Sequence, residues 1–199
     1  FPATLRNRES IESVLCNYIP DTGVLLELAS GSGEHGVFFQ NSFPSITWQT
    51  SDPEEIHRRS IIGWIAHEGL SAIMPAPLDI DVEKRPWPVS NQLRSLIKGI
   101  ICINMIHISP WNCTKALFEE SKYLLHHNQF LMLYGPFFRA DKLTSESNLI
   151  FDKSLKLKNP LWGIRDLEMV NEIAYKSGFV KEKTIEMPAN NLSVIYRLN

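Results

Sequence analysis

The apolar run Val24-Leu25-Leu26-Glu27-Leu28-Ala29 breaks into Ser30-Gly31-Ser32-Gly33-Glu34, and no other feature narrows the possible folds as far. The run has the length of a strand and one polar residue, the pattern of a strand buried on both faces. The small residues after it let the backbone turn tightly and come close to a ligand. The helix predicted next, over 34–42, begins with N–H groups that no helical carbonyl satisfies. A buried strand, a glycine turn and a helix start in succession belong to an α/β protein with a mostly parallel sheet. Asp52 stands about 20 residues past the turn, at the end of the next predicted strand (46–50), where an acid can hold ribose hydroxyls. A plain strand–helix turn with Asp52 as a helix cap is the plainer alternative, and the two roles are compatible.

The remaining segments continue the alternation. Ile11, Val14, Leu15, Tyr18 and Ile19 fall at helical spacing over 8–19. Asp52-Pro53-Glu54-Glu55 carries a cap, a proline and first-turn acids, so a helix is expected there with Ile56, Ile61, Trp64 and Ile65 on its buried face. A third strand near 72–78 contains Pro75 and Pro77, which remove ladder donors and assign it to a sheet edge. A fourth strand is predicted over 99–105, a helix from Ser109-Pro110 to about 126, and a fifth strand over 130–134. Residues 135–165 read as an irregular insertion with a short helix near 146–157. Asp166 caps a helix ending at Ser177-Gly178, and strands over 181–187 and 192–198 follow, joined closely enough to be antiparallel. One domain over residues 1–199 is the expectation, since 199 residues suffice for a full core.

Composition excludes several classes. With 44% hydrophobic and 21% charged residues the chain is neither disordered nor collagen-like. A net charge of −2 gives no nucleic-acid footprint, and no apolar run reaches the roughly 18 residues of a membrane span. Cys16, Cys102 and Cys113 have no Cys-x-x-Cys spacing and the histidines no metal-ligand spacing, so a reducing, cytoplasmic compartment without a bound metal is expected. No signal peptide is visible, and the chain starts at Phe1 rather than Met.

Glu27-Leu28-Ala29-Ser30-Gly31-Ser32-Gly33 resembles motif I of class I S-adenosylmethionine-dependent methyltransferases. Further stretches sharpen the resemblance: Arg6-Asn7-Arg8, Asn104-Met105-Ile106-His107-Ile108-Ser109-Pro110-Trp111, Tyr134-Gly135-Pro136-Phe137, Trp162-Gly163-Ile164-Arg165-Asp166 and Met187-Pro188-Ala189-Asn190-Asn191. Together these are similar to the methyltransferase-like protein 26 family, domain-of-unknown-function family 938, along essentially the whole chain. The resemblance implies a Rossmann-like seven-stranded sheet in the order 3-2-1-4-5-7-6, with the last strand antiparallel and helices on both faces. Motif I commonly has glycine where Ala29 stands, and the methyl group is expected to tighten the methionine end of the pocket.

Carried over by position, the resemblance assigns Glu27, Ala29, Ser30, Gly31, Gly33, Asp52, Asp79, Asn104 and Met105 to S-adenosyl-L-methionine, with S-adenosyl-L-homocysteine as product. Asp52 takes the ribose hydroxyls and Asp79 the adenine amino group, although Asp79 reads equally well as a loop acid. His107 and Tyr134, near the carboxyl ends of the fourth and fifth strands, are the catalytic candidates. His107 is the base if it is not simply ordering its loop. Asn7, Arg8, Trp111, Arg165 and Asn190 are the substrate-side candidates. The implied function is methyl transfer to a small-molecule acceptor, without nucleic acid or membrane as partner. The alternatives are a non-catalytic binding module serving a protein partner and, ranked below both, a nicotinamide enzyme, because Gly31-Ser32-Gly33-Glu34-His35-Gly36 is read as displaced by a residue from the dinucleotide pattern.

Overall fold

The structure, a computed structural model, describes residues 2–199, with side-chain surroundings from residue 4 onward. Two compact units divide the chain, Phe1–Ile103 and Asn104–Asn199.

The first unit holds α1 (Pro2–Leu15), β1 (Val24–Leu28), α2 (Glu34–Ser42), β2 (Thr47–Thr50), α3 (Glu55–His67), α4 (Asn91–Leu96) and β3 (Ile97–Ile103). β1 runs between β2 and β3, parallel to both, with Val24 opposite Thr47 and Leu28 opposite Cys102. Every residue of β1 is buried, as a central parallel strand requires. α2 buries Phe39 against Trp48 of β2, ring centroids 4.9 Å apart. Gln40 on the same helix ties down the start of β2: its Nε2 donates to the Ile46 carbonyl and its Oε1 accepts from the Trp48 N–H.

Three expectations for this unit need correction. Residues 72–78 form no strand; Pro75 and Pro77 offer no N–H to a ladder, and one isolated parallel bridge, Ser51 to Leu78, remains beside β2. The edge position was read correctly. α3 starts later than its sequence signature suggests: Glu54 is the N-cap, and Asp52 closes a turn ahead of the helix by accepting the Glu54 N–H at 3.0 Å. Ile61 and Ile65 are buried on α3, but Ile56 in its first turn is 74% exposed. The short α4, capped by Ser90 accepting from the Leu93 N–H, was not anticipated.

The second unit holds α5 (Trp111–Leu124), β4 (Phe130–Phe138), α6 (Glu146–Lys158), β5 (Arg165–Asp166), α7 (Leu167–Lys176), β6 (Phe179–Met187) and β7 (Asn191–Leu198). β7 lies between β4 and β6, antiparallel to both, and β5 pairs with β4 in parallel through Phe137 and Arg165. The 5-7-6 succession expected from the resemblance is therefore met, and so is the reversed last strand. A single 3₁₀ turn, Pro188–Asn190, makes the β6–β7 connection, with Ala189 and Asn190 left-handed. Asp166 caps α7 through the Glu168 and Met169 N–H groups, and Ser177-Gly178 ends it. The core gathers Phe118, Phe179 and Tyr196, whose rings meet edge to face, and the Tyr196 hydroxyl donates to Asn171 Oδ1 at 2.9 Å. Seven strands are described in all, but the short β5 takes the place in the count expected for residues 72–78.

Candidate functional site

The turn after β1 is held by its backbone. Ala29 has φ 53°, Gly31 φ 57° and Gly33 φ 89°, so three residues of the turn are left-handed. The Ser30 N–H donates to the Ser51 carbonyl at 2.8 Å, and the Ser51 hydroxyl donates to the Glu27 carbonyl at 2.8 Å, clamping the turn to the end of β2. Asp52 completes the clamp. Its Oδ2 accepts the Gly31 N–H at 2.8 Å, while its Oδ1 accepts the Glu54 N–H and lies 3.0 Å from His57 Nδ1. The buried Asp52 carboxylate thus serves the turn and the approach to α3 together. Among the described residues Oδ2 has a single partner, and it can accept again.

The glycines do different work. At Gly33 a Cβ would lie 2.7 Å from Ile61 Cγ1, so that glycine lets α3 pack against the start of α2. At Gly36 a Cβ would lie 2.5 Å from Thr50 Cγ2 and 3.0 Å from Glu27 Oε2, so α2 packs closely over the strands. At Gly31 a Cβ would meet nothing within 4 Å, and the backbone there faces open space. Gly31, Gly33 and Gly36 stand at the G-x-G-x-x-G spacing, so the expectation that this turn misses the dinucleotide pattern by one residue is wrong, and the glycines alone do not separate a nucleoside from a dinucleotide.

Glu27 lies beneath the turn, 1% exposed, accepting from Trp48 Nε1 at 2.8 Å. Burial pushes its carboxyl up to about 7, against the lowering effect of the Trp48 and Ser30 hydrogen bonds. A cationic group brought to it would recover that cost. Asp79 is 67% exposed and pairs with Arg58 at 3.1 Å. Arg58 also donates to the Asp52 and Pro53 carbonyls. His57 and Arg58 were missed from sequence, although both fall in the helical turns that follow Asp52. Asn7 Oδ1 accepts from His35 Nε2 at 2.8 Å, and Arg8 stacks its guanidinium 4.6 Å from the Phe38 ring centroid, so both candidates bind α1 to α2. Burial lowers His35 to about 4, which keeps that contact neutral.

The remaining candidates belong to the second unit. His107 is 3% exposed and meets Phe151 of α6 edge to face, centroids 5.7 Å apart. A Cβ on Gly135 of β4 would lie 3.2 Å from its Nδ1 and Cε1, so the bare glycine makes room for the ring. Nδ1 has no hydrogen-bond partner among the described residues. Burial, with the Arg165 charge adding to it, lowers His107 to about 4, and the ring is neutral at pH 7. Tyr134 is buried in β4, and its carbonyl accepts the Asn104 N–H at 2.8 Å. Strand alternation sends Tyr134 to the opposite side from Gly135, hence away from the His107 ring. Asn104 is left-handed, φ 59°, and Met105 Sδ accepts from the Ser109 hydroxyl.

Arg165 holds the loop that carries His107. Its Nε donates to the Ile106 carbonyl at 2.9 Å and one terminal nitrogen to the Ser109 and Leu161 carbonyls at 2.5 and 3.0 Å. Its guanidinium lies 5.5 Å from the Trp111 ring centroid, bringing those two candidates together. Asn190 donates to Ser147 Oγ and accepts on its carbonyl from Asn148, fastening the β6–β7 turn to α6. No group of metal-ligating side chains and no helix long and apolar enough to cross a membrane occurs among the described residues.

Solved structures of methyltransferases share this fold. Mitomycin 7-O-methyltransferase MmcR superposes with TM-score 0.79 at 13% identity, over 97% of this chain and 54% of that one. The S-adenosylmethionine-dependent methyltransferase SibL gives TM-score 0.78 at 12% identity, over 98% and 55%. A putative sarcosine dimethylglycine methyltransferase from Galdieria sulphuraria gives 0.76 at 13% identity, over 100% and 87%. The chain spans about half the length of the first two, and identities this low establish the Rossmann-like methyltransferase fold rather than the activity. A family match covers residues 1–198, and the chain belongs to the family described as "Protein of unknown function (DUF938)".

Proposed function

We propose that the chain is an S-adenosylmethionine-dependent methyltransferase with a small-molecule acceptor. The observation that carries this reading is the turn at Gly31. Its left-handed backbone faces open space, and its N–H is fixed by an aspartate that keeps a lone pair for a hydroxyl. Glu27 and the turn from Ala29 to Gly33 would hold the methionine end, and Asp52 the ribose. Asp79 would reach the adenine on releasing Arg58. Asn104 and Met105 complete the cofactor residues. When bound, this cofactor supplies an electrophilic methyl group. The chain's own part is to place the acceptor and take its proton. His107, neutral well below pH 7, can accept that proton at a ring nitrogen. Arg165 keeps the His107 loop in place and stacks near Trp111, Asn190 fastens the β6–β7 turn beside α6, and Tyr134, Asn7 and Arg8 hold the elements that carry them. The solved structures sharing this fold include a mitomycin 7-O-methyltransferase and an S-adenosylmethionine-dependent methyltransferase, which favours this cofactor over a nicotinamide. The reversed β7 between β4 and β6 points the same way, because it departs from the 3-2-1-4-5-6 order of a dinucleotide-binding sheet.

Titration calorimetry with S-adenosylhomocysteine, with NAD as the control, tests the reading. The native chain should bind the first and not the second. Gly31→Val should abolish binding while the chain stays folded, because a branched side chain fills the open space at the turn. Equal affinity in folded Gly31→Val would remove the turn from the site. Binding without transfer to any acceptor in a metabolite extract would favour the binding-module alternative.

A further inference from the structure

β4 and α6 lead from His107 to a second feature. Gly135 and Phe137 alternate onto one side of β4; the first packs under the His107 ring and the second lines an open cleft. On α6, Phe151 touches the ring and Asn148, about one turn earlier, lines the same cleft. Leu143 and Leu192 supply apolar walls, and Arg139, Lys142 and Glu186 stand on the rim.

The rim cations are unequally engaged. Arg139 spends Nε and one terminal nitrogen on the two oxygens of Asp141, at 2.8 and 2.5 Å, and the other terminal nitrogen on Glu186 Oε1 at 2.7 Å. Lys142 donates to the same Glu186 oxygen, its one partner among the described residues, and its side chain is 54% exposed. An ammonium has three donors, so two remain. Asp141 balances Arg139 and Glu186 balances Lys142, so the rim as a whole is neutral, and what stays open is the pair of unused Lys142 donors. A carboxylate entering the cleft can take those donors in competition with Glu186, with Phe137 and the leucines left for an apolar body.

We infer that this cleft binds the methyl acceptor and that the acceptor is a small apolar acid, its carboxylate on Lys142 and its body along Phe137 toward His107. The inference rests on the methyltransferase reading for what becomes of the bound molecule. Glu186 then acts as an internal competitor that keeps Lys142 in place until the acid arrives.

Benzoate and its neutral isostere benzamide serve as probes. The ¹⁵N-labelled full chain is titrated with each at fixed ionic strength, following the amide signals of Asn148, Asn190 and Leu192. Benzoate should shift these signals, and benzamide should bind more weakly. Lys142→Met should weaken benzoate by roughly three- to tenfold, and Glu186→Gln should tighten it by about two- to fivefold, since the competitor is neutralised. No shifts at these amides, equal binding of benzamide, or a Glu186→Gln variant that binds benzoate no better overturns the inference. The readout needs neither cofactor nor turnover. A parallel titration with S-adenosylhomocysteine, read at Gly31 and Gly33, tests the methyltransferase reading separately.

Discussion

The turn at residues 29–33 and the loop at 104–110 both stand where a parallel strand ends, and they are held by opposite means. The turn is fixed by left-handed backbone, by N–H groups meeting Ser51 and Asp52, and by a glycine against Ile61. Past left-handed Asn104, the loop is fixed from a distance by one guanidinium on its Ile106 and Ser109 carbonyls, and the ring it carries is received by a glycine on another strand. Backbone conformation constrains residue type at the turn itself, so the turn announces itself in sequence. A carbonyl is the same at every residue, so the loop does not.

Turnover should part the two regions most sharply. His107→Ala should lower methyl transfer by roughly 10²–10⁴-fold if the ring takes the acceptor's proton. S-adenosylhomocysteine affinity, set by the turn, should stay nearly constant. His107→Asn keeps a polar side chain in the loop but supplies no base. Recovery of most activity in His107→Asn would make the ring an organiser of its loop.

The next largest effect is the pH dependence that Glu27 contributes in the first region. Folded Glu27 keeps its proton up to about 7, against 4.5 for the ordinary carboxyl. Between those values the folded chain holds a proton that the unfolded chain has lost, so stability falls as pH rises. This contribution is full below pH 4.5 and gone above pH 7, a span worth roughly 3 kcal/mol. Glu27→Gln should remove this contribution while keeping an acceptor for Trp48, leaving the opposite trend of His35 and His107, whose lowered values make stability rise with pH between about 4 and 6.5. Urea midpoints of both proteins at pH 5 and pH 8 measure the difference, and parallel slopes would refute the assignment.

Arg165→Met addresses the other region. It strands the Ile106, Ser109 and Leu161 carbonyls and should cost about 1–3 kcal/mol of stability. Lysine should not restore the loss, because one ammonium does not reproduce the planar fork. Hydrogen exchange should localise the opening to 104–110, leaving the 29–33 amides protected. Exchange that rises equally in both segments would show that the clip is not local.

The same contrast explains what could be read in advance. α2 was bounded correctly from glycine, acid and apolar spacing, and α7 from Asp166 and Gly178. The strand at 72–78 failed because apolar content outweighed the two missing donors, and α4 because six residues carry too little periodicity. Ile56 was misjudged because helical spacing gives a face but not how far along the helix that face stays covered. Asp52 was legible as an acid at the end of β2, whereas its bond to the Gly31 N–H has no mark in sequence. The Arg165 bonds and the shared Glu186 oxygen depend on residues far apart in the chain, and no local pattern reports them.

Ala29 gives the smallest effect and the finest test of the turn. It holds φ 53° without being glycine, at a position where motif I of the methyltransferases it resembles carries glycine. A left-handed alanine costs about 1–2 kcal/mol from the crowding of its Cβ. Glycine removes that strain but gives back part of the gain through a freer unfolded chain, about 0.4–1 kcal/mol. Ala29→Gly should therefore stabilise the protein by about 0.5–1 kcal/mol, raising Tm by roughly 1–4 °C for a chain of this size. If strain is the whole consequence of the methyl group, S-adenosylhomocysteine affinity stays the same or improves. If the methyl group instead packs on the methionine end, as the sequence suggested, the variant gains stability and loses affinity. Calorimetric melting and cofactor titration on one preparation separate the two, and a drop in Tm would show that the turn does not need its left-handed geometry at this residue.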